Sequence, residues 1–512
     1  MWWIALHAPA LSLEAWLAGV PEDERDSPAA LLTRHRVSAV NLPARSLGVM
    51  VGMRRSTALA LVPGLRLGVA DPARDAHALK ALAHVLLSFT PQVAAASPQG
   101  LVAEVQASLR YFGGPGALWA RLGEALAPLG HGLHLAHAPT ARAASCLARS
   151  GPQPGPASTL PDRAWLMQQV QGLPVAVLAA ELPADMNAAW LETCEAMGLA
   201  SLGDLWAQPR AGLVRRLGTA VLQVLDQLSG DQPHPHEWLR LPDRFSSELE
   251  LPARAEYTGP LLVAVDVLLV RLSAWLRARQ ARAQQLELLL HHATRLRASH
   301  LGEAGAHLSV LQLALGEPTA DAGHWRSVLA ERLAREPLAA PVLSLTLRCD
   351  HAVLGAPPDT DLFPELANPR EGLGRLVERL QARLGVEGVT RLSTWPEHRP
   401  ELAWRAEAAE LPPARHPLLE APPAAARLTR PVWLMSPPEP LPERQSRPWL
   451  GTEPLRLLQG PERVEAGWWD QALAARDYFV AQLPAGELVW IYRLRHAPPQ
   501  GQPGWFLHGR FA

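Results

Sequence analysis

Apolar residues are densest at the start of the chain, where Trp2, Trp3, Ile4, Ala5 and Leu6 run without interruption before His7, Ala8 and Pro9. A short continuous apolar run closed by a proline predicts a buried central strand. Leu11 to Ala18 predicts a helix, 21–28 an acidic loop, and Val37 to Asn41 a second strand. Asn41 to Pro63 reads as a turn at Pro43, Gly48 and Gly52 flanking an apolar tripeptide, and a helix through Leu61. An amphipathic helix is predicted over Asp75 to Ser88, and a strand and turn at Glu104-Val105 and Tyr111 to Gly114. A strand and helix follow over His131 to Arg149, then a loop over 151–161.

Further on, Met197 to Leu205 and Pro209 to Gly218 predict two helices about a tight glycine turn. Ser246 to Leu251 predicts a strand, Gly259 to about Ala283 a long helix, Gln285 to His291 a strand and Thr346 to Cys349 another. Arg370 to Leu384 has helical periodicity, whereas 400–448 carries too many prolines for a compact core. From Pro461 onward apolar and polar residues alternate between turns, the pattern of a small antiparallel sheet.

A chain of 512 residues is long enough for three or four domains of about 150 residues each. Its 48 basic and 49 acidic residues give no global field toward nucleic acid or an anionic membrane, so any basic surface is local. Lys80 is the single lysine, in keeping with a biased coding composition. Three scattered cysteines, Cys146, Cys194 and Cys349, form no CxxC pair and suit a reducing compartment. The apolar start lacks a basic flank, and no run has the length of a membrane span, Leu261 to Val270 coming nearest. These features predict a cytoplasmic protein with no membrane partner.

The chemistry turns on an absence. The first strand ends at His7 with no acid before Glu14, and the turn after Phe89 to Val93 holds Gln99 and Gly100. Two-metal phosphoryl chemistry needs carboxylates that hold two Mg²⁺ ions about 3.5–4 Å apart. Gly100 offers no ligand, Gln99 a weak one, and His7 one suited to softer metals. His131, His134 and His137 invite a metal reading, but strand alternation puts His134 on the face opposite the other two.

Pro43, Ala44, Arg45, Gly48, Val49 and Met53, closing at Val62-Pro63, resemble the fingers of Y-family translesion DNA polymerases. The segment Phe89 to Leu101 is similar to the one that carries two of that family's three metal-binding acids, and His7, Gln99 and Gly100 stand at the three positions. The helix pair around Gly203 resembles the family's helix-hairpin-helix thumb, and 245–293 its little finger. Asp359-Thr360-Asp361-Leu362-Phe363, in a Pro-rich linker, resembles the bacterial sliding-clamp binding motif, with Asp359 in place of the usual glutamine. The tail, with Trp468, Trp469, Trp490, Tyr492, Trp505 and Phe506, is similar to that of ImuB-type proteins, the non-catalytic Y-family homologues of mutagenesis cassettes.

The resemblance implies an α+β multidomain protein: palm and fingers over 1–165, helical thumb over 166–242, α/β little finger over 243–352. A linker with the clamp motif over 353–367, a helix and Pro-rich linker over 368–455 and a β-rich partner-binding segment over 456–512 complete it. It implies a nucleoid-associated scaffold of a damage-induced (SOS) mutasome, without catalysis, cofactor or metal. DNA, the sliding clamp, an error-prone C-family polymerase and a RecA-like accessory protein are the implied partners. Arg45, Arg54, Arg55, Arg215, Arg216, Arg279 and Arg282 are the implied DNA contacts, and the six tail aromatics the partner contacts. The alternative is an active translesion polymerase with relocated ligands, for which Glu104, Glu14 and Asp71 would have to converge.

Overall fold

The computed structural model describes all residues except 21–23, 157–161, 183–186, 295–305, 336, 356–368, 410–429, 497–503 and 512. The chain folds into two compact units, Met1–Arg383 and Leu384–Ala512.

The apolar opening is the central strand of the first sheet. Val93–Ser97, Gly100–Glu104, Trp3–His7 and His134–Ala138 lie side by side in that order, with Trp3–His7 antiparallel to both neighbours. Side-chain alternation splits the run between two cores. Trp2, Ile4 and Leu6 pack with Leu82 and Leu86 of helix Pro72–Leu87 and Leu118 and Leu122 of helix Pro115–Leu126. Trp3 and Ala5 face helix Ala141–Ser150 and, in the same core, Val170, Leu205, Val221 and Leu225 of the helices that follow. A burial boundary therefore does not separate the expected first module from the second.

Several expectations shift. Ala29–Thr33 and Arg66–Val69 join Arg36–Val40 in a three-stranded sheet the sequence reading lacks, because such short runs show no period that separates strand from helix. Tyr111 and Phe112 lie in a helical turn, Leu109–Phe112, ended by Gly113 at φ +84°, rather than in a strand and turn.

The third region is a β-α-β-β-α-β arrangement with strand order Leu308–Thr319, Ala281–His292, Val342–Cys349, Phe245–Ala255. Its long helix stops at Arg279, where Gln280 takes a left-handed conformation at φ +52°, so the following strand begins at Ala281. Leu308–Thr319 and helix Ala322–Arg335 are additional to the expected elements, although Leu311, Leu313 and Leu315 alternate with exposed Gln312 and Ala314 as a half-buried strand should. Helix Thr258–Arg279 is apolar and long enough to cross a membrane, but 61% of its most apolar window is buried inside this core.

In the second unit Trp433–Leu441, Trp505–Arg510, Leu488–Leu494, Ala474–Gln482 and Arg456–Ala466 form a five-stranded antiparallel sheet. The stretch expected to be too proline-rich for a compact core therefore contributes a strand to this sheet. Pro437, Pro438 and Pro440 are accommodated because that strand lies at the sheet edge and its pairing shifts register between Leu434 and Glu439. The C-terminal sheet accordingly begins before the expected boundary at 456.

Candidate functional site

At one end of the first sheet, His7 pairs with Gly100 on one side and His134 on the other, and Ala8 N–H donates to the Gln99 carbonyl at 2.9 Å. The fold thus gathers all three positions singled out in the sequence. A Cβ added at Gly100 would sit 2.8 Å from Ser97 Oγ and 3.3 Å from the Leu6 carbonyl oxygen. No carboxylate fits there unless Ser97 moves. Burial, then the Arg149 guanidinium and His134, push the His7 imidazole below its ordinary pKa. Arg149 is fixed by Glu181 Oε1 at 2.5 Å and by Ser145 Oγ at 3.1 Å. Two Mg²⁺ ions require anionic oxygen ligands, whereas this rung offers an imidazole, an amide, a hydrogen atom and a nearby cation. The residues present do not fit a magnesium pair.

The acids that could replace the missing ligands are held elsewhere. Glu104 pairs with Trp3 at the opposite end of the strand, four residues from Gly100, or about 13 Å at 3.3 Å per residue. Its carboxylate is buried and accepts from Gln106 N–H at 3.1 Å. Glu14 is taken by His131 Nδ1 at 3.3 Å and by Gly132 N–H at 3.1 Å. Asp71 caps helix Pro72–Leu87 through Ala73 N–H at 2.9 Å. Among the described residues no three histidine, cysteine or acidic side chains gather as a metal site.

The three histidines take three different neighbours. His131 meets Glu14, His134 Nδ1 lies 3.2 Å from the Ala148 carbonyl, and His137 stacks on Trp165 at 5.2 Å.

The arginines implied as DNA contacts divide into three sets. Arg45 lies on the short helix Leu42–Ser46, while Arg54 and Arg55 start helix Arg55–Leu61; all three are exposed. Exposed Leu47, Met50 and Val51 lie between them in sequence. Arg215 and Arg216 end helix Arg210–Leu217 and are exposed. Arg279 is otherwise engaged: it donates to the Pro242 carbonyl and to Asp243 at 3.1 Å and lies over Trp275. Arg282 is half-buried on strand Ala281–His292, opposite Val353. Arg279 thereby braces the long helix against the chain entering its domain.

The clamp-like Asp359, Thr360, Asp361, Leu362 and Phe363 lie outside the described residues. In the second unit the six tail aromatics divide. Trp490, Tyr492 and Trp505 are at most 5% exposed and Phe506 packs against their cores, so they build the sheet instead of offering a surface. Trp468 and Trp469 stand out at 77% and 53% exposure, 5.3 Å apart and edge to face. Their turn is braced by buried Arg399, which reaches Asp470 Oδ2 at 2.5 Å, Glu397 Oε2 at 2.7 Å and the Ala472 carbonyl at 3.2 Å. Neither Arg149 nor Arg399 is visible as a functional residue in the sequence, because Glu181, which fixes the first, and Asp470, which ties the second to the tryptophan turn, lie 32 and 71 positions away.

Known proteins match this chain in part and over most of its length. Residues 15–149 match the IMS (impB/mucB/samB) family. Over 484 residues, 91% of this chain and all of the relative, the sequence is 28% identical to Protein ImuB of Caulobacter vibrioides strain NA1000 / CB15N, and equally to that of strain ATCC 19089 / CIP 103742 / CB 15. Among solved structures, the insertion ternary complex of Dbh DNA polymerase is 15% identical with a TM-score of 0.39, covering 69% of this chain and 100% of that one. DinB from Sulfolobus solfataricus is 14% identical with a TM-score of 0.38, covering 69% and 99%.

Proposed function

We propose that this chain, an ImuB-like homologue of the Y-family polymerases, is a scaffold for translesion synthesis that has the polymerase architecture without its chemistry. The observation that carries the reading is the strand end where His7 pairs with Gly100 and Gln99 follows, beside Arg149, a donor set that does not suit divalent cations. In this reading Arg45, Arg54, Arg55, Arg215 and Arg216 meet the phosphates of damaged or primed DNA, supplying binding that falls steeply with salt. Asp359 to Phe363 engages the sliding clamp, with Leu362 and Phe363 as the apolar anchors. Trp468 and Trp469 are the tail's contact for an error-prone C-family polymerase or a RecA-like accessory protein, and the protein works in the cytoplasm on damage-induced repair.

Primer extension with Mg²⁺ or Mn²⁺ tests the core of this reading. No template-directed incorporation is expected; incorporation that disappears in Glu104→Ala would establish an active polymerase and end the scaffold reading. Clamp capture by wild type and its loss in the Leu362→Ala, Phe363→Ala double variant test the docking step separately.

A further inference from the structure

The three-stranded sheet of Ala29–Thr33, Arg36–Val40 and Arg66–Val69 belongs to a stretch of unbalanced charge. Between Asp26 and Asp71 there is no acidic residue, while Arg34, Arg36, Arg45, Arg54, Arg55 and Arg66 all fall there. The stretch has a core of its own, which includes Ala30, Val37, Val49, Ala58 and Val62. Arg66 is matched by Glu24; among the described residues the other five arginines meet no carboxylate. Their positive charge therefore stands uncancelled in a chain whose net charge is -1.

Folding alone does not account for the tip of this sheet. Thr33 pairs with Arg36, so Arg34 and His35 are the two residues of a hairpin turn, at φ +47° and +64°. Two-residue turns with both φ values positive favour Asn-Gly, because larger side chains pay a steric cost in that conformation. Here the chain accepts that cost for two basic residues whose side chains are exposed and so gain little from packing. Strain kept at an exposed turn points to a use for the side chains themselves. The tip is continuous with other arginines: Arg55 N–H donates to the His35 carbonyl at 3.1 Å, Arg36 bridges Arg54 in antiparallel register, and Arg36 Nη1 donates to the Gly52 carbonyl at 2.9 Å. Arg34, Arg36, Arg54 and Arg55 thus make one exposed cationic edge.

We propose that this hairpin tip seats in a groove of duplex nucleic acid, with Arg34, Arg36, Arg54 and Arg55 on phosphates and no base read. The inference rests on the DNA-binding reading above and adds the turn residues to it. A two-stranded ribbon is narrow enough to enter the major groove, and a groove offers a row of phosphates on either side of the tip. Residues 27–70 contain no phenylalanine, tyrosine or tryptophan, so this module has no platform on which the unstacked bases of a single strand could lie. Guanidinium groups that meet only phosphates give binding that ignores sequence and weakens steeply with salt.

Fluorescence anisotropy of the full chain with a duplex of arbitrary sequence and a single strand of equal length, at several salt concentrations, tests the assignment. The duplex is expected to bind at least threefold more tightly than the single strand. Arg34→Asn combined with His35→Gly gives the turn the residues its backbone favours, so the thermal melt is expected at or above that of wild type. In the same variant duplex affinity is expected to fall at least threefold and the slope of log K against log salt to drop by about 1. Arg34→Lys, which keeps the cation, is expected to retain the slope. If wild type binds neither DNA, the DNA-binding reading fails and this inference with it. If wild type binds and the double variant keeps full affinity and slope, that reading stands and the hairpin assignment is overturned. Tighter binding of the single strand would overturn it too, as would a variant that loses polyglutamate but not duplex, which assigns the edge to an acidic protein segment.

Discussion

His84 illustrates how a single side chain carries a solution property. It sits inside helix Pro72–Leu87 at 5% exposure with both ring nitrogens unpartnered, and burial, with a smaller contribution from Lys80, lowers its pKa to about 4. A group whose folded pKa is depressed stabilises the fold above its unfolded pKa and loses that contribution as pH falls. For His84 the window runs from about 6.5 down to about 4. At pH 5 the loss is roughly 2 kcal/mol at 1.36 kcal/mol per pKa unit. Denaturant titrations at pH 7 and pH 5 should show at least that loss, and His84→Leu should reduce it by about 2 kcal/mol. Neutral His234 and His508 add to the loss in the same direction. At Gly100 the residue scale decides chemistry: the triple variant His7→Asp, Gln99→Asp, Gly100→Glu is expected to remain unable to extend a primer. Crowding against Ser97 is expected to cost it about 1–3 kcal/mol of stability in an unfolding titration.

At the scale of elements, the C-terminal sheet separates aromatics that fold from those that can bind. Truncating Trp490 or Trp505 to alanine removes a buried side chain and should cost about 3–5 kcal/mol, read as loss of the unit's cooperative melt. Trp468→Ala and Trp469→Ala should leave that melt in place and abolish capture of the purified polymerase or accessory protein. Arg399→Ala is expected to weaken capture while leaving both tryptophans intact, because it frees the turn they stand on. Arg399→Lys should not restore it, since an ammonium cannot reproduce the paired guanidinium contacts with Asp470 and Glu397.

For the whole molecule, near-neutral charge hides a local bias. Alongside 48 basic and 49 acidic residues, several arginines are spent on carboxylates: Arg142 and Arg149 on Glu181, Arg163 on Asp231, Arg210 on Asp226 and Arg463 on Asp477. In the proposed reading, DNA affinity rests on local exposed arginines, not on a global field. Replacing Arg54 and Arg55 by alanine should lower affinity for every sequence alike and reduce the slope of log K against log salt by about 2, measured by fluorescence anisotropy at several salt concentrations. The same pairing explains why the candidate DNA contacts could not be sorted beforehand: Arg279 and Arg215 look alike in the chain, and only the fold places Asp243 and Pro242 beside the first.

Residues 1–13 determined by themselves that a buried strand opens the chain, and the types at positions 7, 99 and 100 determined that none of these three positions carries an acid. Those are local properties, set by hydrophobic period and side-chain chemistry, and they survive any arrangement of the rest. Tertiary structure alone decided that His7 and Gly100 share one rung with Gln99 at the next step, that Arg149 charges it, and that Trp490 is core while Trp468 is surface. It also decided that the proline-rich stretch supplies an edge strand and that 234–240 walls a cavity. Pairing partners and burial depend on contacts between residues tens to hundreds of positions apart, and no local pattern records which of many possible partners the chain will bring together.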